Sequence, residues 1–216
     1  MTIDVVVADD HAIVREGLRL VLAAHPNIAV VGEAGDGHEA LRLVEQLRPN
    51  VVIMDIAMPN LNGLEATRLI KNRFPDVKVV ILTMHENQAY FLQIVKAGAT
   101  GCVLKRSIGR ELVDAIEAAA HGENYFSPTI ATKVIEDYRR LLNRGDAEAP
   151  DLLTDREREI LQLIAEGQTN REIADLLTVS IKTVQAHRAN LMEKIGAHDR
   201  TDLVKYAIQV GIITSE

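Results

Sequence analysis

The sequence has one cysteine, no tryptophan and few aromatic residues, which make up 3% of its 216 residues. A single thiol, Cys102, excludes an internal disulfide and any metal site built from several cysteines. With so few aromatic side chains, the core must be filled mainly by Leu, Ile, Val and Ala. The length suits one large domain or two small ones.

Long apolar runs and an excess of basic residues are also missing. No run approaches the roughly 20 residues needed to cross a bilayer, and residues 1–4 lack the basic start and apolar stretch of a signal peptide. We therefore expect a cytoplasmic protein with no membrane partner. The formal net charge of −7 argues against a protein that coats nucleic acid regardless of sequence.

The first half alternates short apolar runs with segments of helical periodicity. This alternation predicts an α/β fold, a doubly wound parallel sheet covered by helices on both faces. A further helix is predicted around residues 112–120, after the last run. The five predicted strands are Val5–Ala8, Ile28–Val31, Val51–Met54, Val77–Leu82 and Cys102–Leu104.

Polar residues stand where these strands end. Asp9 and Asp10 follow the first strand, Asp55 ends the third, Thr83 follows the fourth and Lys105 follows the fifth. Each residue alone is more often a loop cap or a solvated charge, but such residues would then scatter over both edges. Because ligands of open α/β sheets bind at the carboxyl ends of the strands, we expect these five residues to form one site.

The chemistry of this set favours phosphoryl transfer. Crowded carboxylates favour a hard divalent cation with oxygen ligands, above all Mg²⁺, and a carboxylate can accept a phosphoryl group as an aspartyl phosphate. We predict that Asp55 is the acceptor and that Thr83 and Lys105 contact the phosphoryl oxygens. Positioning and charge stabilisation would assist this transfer, with no turnover of an external substrate.

The pattern resembles the receiver domain of bacterial two-component response regulators, over about residues 1–121. The resemblance implies a flavodoxin-like sheet of order 2-1-3-4-5 and a partner histidine kinase as phosphoryl donor. It also implies that Asp10, Asp55 and the main-chain carbonyl of Ala57 hold Mg²⁺, with Asp9 in support. The residues that carry the resemblance are Asp9, Asp10, Asp55, Met58, Pro59, Thr83 and Lys105.

One position departs from this family. Receivers often carry an aromatic residue three positions before the lysine, and here that position is Cys102. Tyr90 or Phe91 could substitute, although packing or an interface is the simpler role for both. His85 is a weak candidate for placing the water that hydrolyses the aspartyl phosphate.

Two rival enzymatic interpretations fit less well. A phosphatase with an aspartate nucleophile would need a second carboxylate two residues later, where Ala57 stands. A flavodoxin would need a glycine- and hydroxyl-rich phosphate loop after the first strand, but Asp9, Asp10 and His11 would repel a phosphate.

The remaining sequence predicts a connector over residues 122–150 and a four-helix domain over residues 151–216. Ser127 and Pro128 indicate a helix start, and residues 143–150 an exposed linker. From residue 151 the pattern is wholly helical. Thr154 and Glu157 fit a capping box, and two helices joined by a tight turn at residues 178–180 match a helix-turn-helix.

The third of these helices is predicted to run from Ser180 to Ile195 with Val184 and Leu191 facing inward. Its outward face carries small residues and Gln185, which could pair with adenine. The full set of predicted DNA contacts is Lys182, Thr183, Gln185, Ala186, His187, Arg188, Ala189 and Lys194.

Charge alone would favour a solvated helical bundle, since residues 151–216 carry 8 basic and 11 acidic residues. The order and spacing of residues 153–157, 170–174 and 183–188, however, closely resemble the LuxR-type helix-turn-helix of NarL/FixJ-family regulators. The resemblance implies promoter DNA as a partner and a homodimer through the last helix, with Leu203, Val204 and Ala207 at the interface. We thus predict a transcriptional regulator whose phosphorylation promotes dimerisation and DNA binding. The contrasting hypothesis is a signalling module that binds only proteins.

Overall fold

The computed structural model describes residues 2–84, 93–127, 130, 153–197, 199–209 and 212–213. The chain divides into two compact units, Met1–Asn143 and Arg144–Glu216. The predictions for His85, Tyr90, Phe91 and most of the connector lie outside the described residues. Within the described residues, no helix combines the length and the apolar character that a membrane span requires.

The first unit contains a parallel sheet of order β2-β1-β3-β4-β5-β6. The predicted order 2-1-3-4-5 is confirmed for the first five strands. The predicted number of strands is wrong, because the described residues form six. The strands are β1 (Ile3–Ala8), β2 (Ile28–Ala34), β3 (Val51–Asp55), β4 (Lys78–Thr83), β5 (Gly101–Leu104) and β6 (Tyr125–Phe126).

The sixth strand has only two residues, too few to show any apolar periodicity, and it lies in the segment predicted as connector. The amide of Tyr125 donates to the carbonyl of Thr100 over 3.1 Å. Gly101 permits this pairing, because a Cβ there would lie 2.8 Å from the carbonyl oxygen of Tyr125. Phe126 pairs in register with Cys102, so an aromatic residue of the neighbouring strand stands beside the position where β5 lacks one.

Helices cover both faces of the sheet, as predicted. One core cluster includes Val44 of the second helix and Ile70 of the third, and the other includes Leu18 and Ile116. Apolar side chains on both faces of the central strands are fully buried, so the sheet is the centre of the unit. The helices are α1 (Ala12–Ala23), α2 (Gly37–Leu47), α3 (Gly63–Arg73) and α4 (Arg110–Ala120), with a further helical stretch at residues 93–96.

The turn after β3 packs tightly against the end of the strand. Asn62 caps α3 by accepting a hydrogen bond from the amide of Glu65 over 2.9 Å. The amide of Gly63 donates to the carbonyl of Ile56 over 3.0 Å. A Cβ at position 63 would collide with the backbone carbonyl oxygen of Asp55. Only glycine lets α3 begin this close to Asp55.

We therefore expect Gly63→Ala to destabilise the first unit by about 1 to 3 kcal/mol, the usual cost of overpacking. Gly17 in α1 is the matched control, because a Cβ there meets nothing within 4 Å. Gly17→Ala should stabilise the unit by about 0.5 to 1 kcal/mol, since alanine favours a helix. Chemical denaturation measures both changes, and equal effects of the two substitutions would contradict the close approach at Gly63.

The second unit consists of helices in its described part, and it has a core of its own. Ile160, Leu191 and Leu203 from different helices are fully buried in it. The predicted capping box at Thr154 and Glu157 is present, and Ser180 caps the third helix of this unit as predicted. The helices are α5 (Asp155–Ala165), α6 (Asn170–Leu176), α7 (Ile181–Ile195) and α8 (Arg200–Gln209).

Candidate functional site

The strand register brings the predicted site residues together at the carboxyl edge of the sheet. Ala8 pairs with Met54, so Asp9 and Asp55, each one residue further on, are neighbours. Asp55 in turn pairs with Leu82 of β4, and Thr83 pairs with Leu104 of β5, directly before Lys105. The contribution of four strands to one edge follows from parallel pairing alone.

Lys105 lies between two buried carboxylates. Its Nζ is 2.7 Å from Oδ2 of Asp9 and 2.8 Å from Oδ1 of Asp55. Burial alone would lower the pKa of Lys105, but its hydrogen bonds to Asp55 and Asp9 outweigh burial and raise that pKa. The ammonium therefore stays charged and is the cation that both carboxylates share.

Asp55 is only 4% exposed at the end of β3. Burial raises its pKa from 3.8 to about 6; Lys105 opposes this rise, whereas the charges of Asp9 and Asp10 add to it. The charges of Asp9, Asp10 and Asp55 act on one another here, and the ammonium of Lys105 contacts Asp9 and Asp55, so a further cation or a proton would stabilise the folded site.

This pKa has a consequence for stability in the absence of metal. Between pH 3.8 and about 6 the folded state holds a proton at Asp55 that the unfolded state releases, so stability falls as the pH rises through this window. In EDTA, the free energy of unfolding of the wild type should fall relative to Asp55→Asn by about 1 to 3 kcal/mol between pH 4 and pH 7. Denaturation at a series of pH values measures the difference, and a pH-independent difference would contradict the raised pKa.

Asp9 and Asp10 are held differently. Asp9 is fully buried, and its Oδ1 accepts the amide of His11 over 2.9 Å while its Oδ2 contacts Lys105. The side chain of Asp10 is 31% exposed, and its Oδ1 lies 2.7 Å from Nδ1 of His11. Asp10 thus presents its carboxylate toward solvent, whereas Asp9 supports the site from within.

The donor set fits a divalent cation. Ligand atoms of Asp9, Asp10 and His11 lie within 4.8 Å of one another, a group that contains two of the predicted ligands and does not include Asp55. Ala57, whose main-chain carbonyl was predicted as a ligand, is exposed two residues beyond Asp55. Carboxylate and carbonyl oxygens are the ligands that Mg²⁺ prefers, and the crowding that raises the pKa of Asp55 is the condition that such a cation relieves. Thr83 is buried at the same edge.

Sequence reasoning missed the residue that holds the backbone of this site. Nη1 of Arg15 donates to the main-chain carbonyl of Asp9 over 2.6 Å. Arg15 lies in α1, six residues after Asp9. A contact to a main-chain atom leaves no pattern of residue types in a sequence.

In the second unit, α7 has the two faces that were predicted. Val184 and Leu191 are fully buried. His187 and Arg188 are half-buried at the flanks, and Nη1 of Arg188 lies 3.4 Å from Oδ1 of Asn170 in α6. The exposed residues of α7 include Lys182, Thr183, Gln185, Ala186, Ala189 and Lys194. This face is therefore free of the domain's own core.

Lys194 has a partner inside its own unit. Its Nζ lies 2.7 Å from Oε2 of Glu157, a buried carboxylate that also accepts the amide of Thr154 over 2.8 Å. Burial raises the pKa of Glu157, but the contacts with Lys194 and Thr154 outweigh burial and lower that pKa. Lys194 thus ties α7 to the start of α5, and its role as a phosphate contact remains a prediction.

The predicted dimer residues need a correction. Leu203 and Ala207 are fully buried in the core of the second unit, where they pack with residues such as Ile160 and Leu191. They cannot also form an external surface of α8. Val204 is half-buried and Ile208 is exposed. A dimer contact through α8 would therefore use the side of the helix that carries these two residues.

Comparison with known proteins gives two matches to family models. Residues 5–117 match the response regulator receiver domain. Residues 151–207 match the bacterial regulatory proteins of the luxR family.

Among whole proteins, the chain is 39% identical over 222 residues to the transcriptional regulatory protein DegU of Brevibacillus brevis, covering 97% of this chain and 94% of DegU. A crystal structure of a LuxR-family two-component response regulator from Aurantimonas sp. SI85-9A1 is 42% identical, with a TM-score of 0.61, covering 64% of this chain and 99% of that one. RcsB of Salmonella enterica serovar Typhimurium, bound to promoter rprA with the phosphomimetic BeF3-, is 29% identical with a TM-score of 0.60, covering 95% of this chain and 98% of RcsB.

Proposed function

The chain belongs to the two-component response regulators that join a receiver domain to a LuxR-type DNA-binding domain, and we propose that Asp55 is its phosphoacceptor. The observation that carries this proposal is the pair of contacts from Lys105 to Asp9 and Asp55, 2.7 and 2.8 Å long, at the carboxyl edge of the sheet. A buried ammonium in this place can neutralise an anion added to Asp55.

The transfer uses the following groups of this chain. A carboxylate oxygen of Asp55 forms the new bond to phosphorus while the bond between phosphorus and the donor's leaving group breaks. Lys105 would neutralise charge on the phosphoryl oxygens, and the hydroxyl of Thr83 would donate to one of them. Asp10, Asp55 and the carbonyl of Ala57, with Asp9 in support, would hold a divalent cation, which supplies further positive charge.

The phosphoryl donor we propose is a sensor histidine kinase, as the receiver family implies. Phosphorylation then shifts a two-state equilibrium toward a homodimer that binds promoter DNA. The promoter complex of RcsB supports this proposal at the level of a relative. A regulator of promoters acts where the chromosome lies, so we propose a cytoplasmic location.

We propose that the receiver, predicted over residues 1–121, extends through β6, because this strand belongs to its sheet. The connector then reaches residue 150, and the DNA-binding domain covers residues 151–216. The exposed face of α7 supports base contacts by Gln185, Ala186 and Ala189. Lys182, Thr183, His187, Arg188 and Lys194 would contact phosphates at its sides. For Lys194, a contact with a phosphate would be an alternative to its ion pair with Glu157.

The test of this function is the selection of a binding site from random DNA, followed by affinity measurements with and without acetyl phosphate and Mg²⁺. We expect a preferred sequence and tighter binding after phosphorylation. A module that binds only proteins would select no sequence and would show the same weak, salt-sensitive binding to every DNA.

A further inference from the structure

The turn that carries both N-terminal aspartates is held by a cation from α1. Nη1 of Arg15 donates to the carbonyl of Asp9 over 2.6 Å, and its Nε lies 3.4 Å from Oε2 of Glu33. The side chain of Arg15 is 20% exposed. Glu33 lies in β2 and pairs in register with Val7, so the sheet itself anchors the acidic partner of Arg15.

Asp9 is held through both its main chain and its carboxylate. Its amide donates to the carbonyl of Ala34 over 3.1 Å, its Oδ1 accepts from the amide of His11, and its Oδ2 lies 2.7 Å from Nζ of Lys105. The contact with Arg15 fills the remaining position, the main-chain carbonyl. That carbonyl belongs to the peptide that joins Asp9 to Asp10, so Arg15 fixes the plane of this peptide.

The orientation of this peptide decides where Asp10 stands. Asp10 is the more exposed of the two aspartates, and its side chain direction follows from the backbone that carries it. Rotation of the peptide would move the Asp10 carboxylate from the position that it holds beside Asp9 and His11. Groups that orient a metal ligand typically contribute 10- to 100-fold to metal affinity.

The positive charge of Arg15 has the opposite effect on metal affinity to its positioning of Asp10. A positive charge beside a cation site repels the cation, so electrostatics alone predict that removal of Arg15 strengthens metal binding. Positioning predicts that removal weakens it. The sign of the change therefore separates the two effects.

We propose that Arg15 is a positioning residue for the divalent cation of the phosphorylation site, acting through the carbonyl of Asp9 on the ligand Asp10. This inference rests on the proposed function, which places a cation at Asp10 and Asp55. Arg15 itself does not touch the cation or the phosphoryl group.

Arg19 provides a matched control. Its Nε lies 3.9 Å from Oε1 of the same Glu33, and its side chain is 53% exposed. Arg19→Met therefore removes the same charge from the same acidic partner, one helical turn away from Arg15. Of these two arginines, Arg15 is the one that donates to the main-chain carbonyl of Asp9.

The experiment measures Mn²⁺ binding to the full chain by the loss of the free-ion EPR signal, without any phosphoryl donor. Arg15→Met should weaken Mn²⁺ binding about tenfold, the lower end of the range for a group that orients a ligand. Arg19→Met should bind Mn²⁺ as the wild type does, or slightly more tightly. Arg15→Lys, which keeps the charge and a donor, should recover part of the loss.

A second readout is the Mg²⁺ concentration that gives half of the maximal rate of labelling by acetyl phosphate, which should rise by the same factor. If Arg15→Met folds poorly, Glu33→Gln releases the guanidinium without removing it and should weaken Mn²⁺ binding to a lesser degree. Thermal melting of each variant reports the folded fraction.

The outcomes separate this inference from the proposed function. Unchanged or tighter Mn²⁺ binding by Arg15→Met, or equal weakening in Arg15→Met and Arg19→Met, would overturn the role of Arg15. If the wild type binds no Mn²⁺, or if Asp10→Asn binds it as well as the wild type does, the proposed cation site fails as well.

Discussion

Asp55→Asn should abolish labelling of the protein by acetyl phosphate in the presence of Mg²⁺. The substitution keeps the size of the side chain and removes the nucleophilic carboxylate, so no aspartyl phosphate can form at this position. Intact-mass spectrometry measures the result as the absence of a species heavier by one phosphoryl group. The wild type, treated in parallel, should show this species.

The carboxylates beside Asp55 make this experiment informative. Asp9 contacts the same ammonium as Asp55, and Asp10 is partly exposed next to Asp9. Either carboxylate could accept a phosphoryl group in place of Asp55. Peptide mapping of the labelled protein locates the phosphoryl group. Label in Asp55→Asn at a rate near that of the wild type, on Asp10 or any other residue, would show that Asp55 is not the acceptor.

Gln185→Ala should change which base is preferred at one position of the DNA site. Gln185 is exposed on the outward face of α7, and a glutamine amide can form two hydrogen bonds with adenine. Loss of such a pair costs about 1 to 3 kcal/mol of discrimination against the wrong base, or roughly 5- to 150-fold in relative affinity. Binding of the variant to a set of sites that differ at single base pairs measures the change.

Lys182→Ala is the matched control for Gln185→Ala. Lys182 is exposed near the start of the same helix, and we expect it to contact a phosphate. Its removal should weaken binding to all sequences alike and reduce the slope of affinity against salt concentration by about one. If Gln185→Ala also weakens specific and random DNA equally, Gln185 does not contact a base.

Most of the first unit could be predicted because its central strands are buried on both faces and therefore form continuous apolar runs. The residues at the ends of those runs gave the site, since parallel pairing places them at one edge. The sixth strand could not be predicted. Its two residues, Tyr125 and Phe126, pair only because Gly101 leaves room beside them.

Two contacts, one in each unit, also could not be predicted from the sequence. The ion pair of Lys194 and Glu157 spans 37 residues, and the contact of Arg15 ends on a main-chain atom. Neither distance nor a main-chain acceptor can be deduced from residue types. For the same reason, the sequence indicated that the side chain of Lys194 was available to contact DNA.

The assignment of Leu203 and Ala207 to the dimer interface was wrong for a related cause. Apolar residues over much of a helix indicate that its surface is buried. They do not indicate whether the domain's own core or a partner buries it. Here Leu203 and Ala207 pack against the core of their own unit. The remaining aliphatic residues of α8, Val204 and Ile208, are the candidates for an interface.

The central claim is that the phosphorylation state of Asp55 controls DNA binding, and one measurement tests it directly. The affinity for the selected DNA site is determined for the wild type and for Asp55→Asn, each with and without acetyl phosphate and Mg²⁺. We predict that phosphorylation strengthens binding by the wild type and leaves Asp55→Asn unchanged. An equal gain in both proteins, or no gain in a wild type shown to be phosphorylated, would contradict the claim.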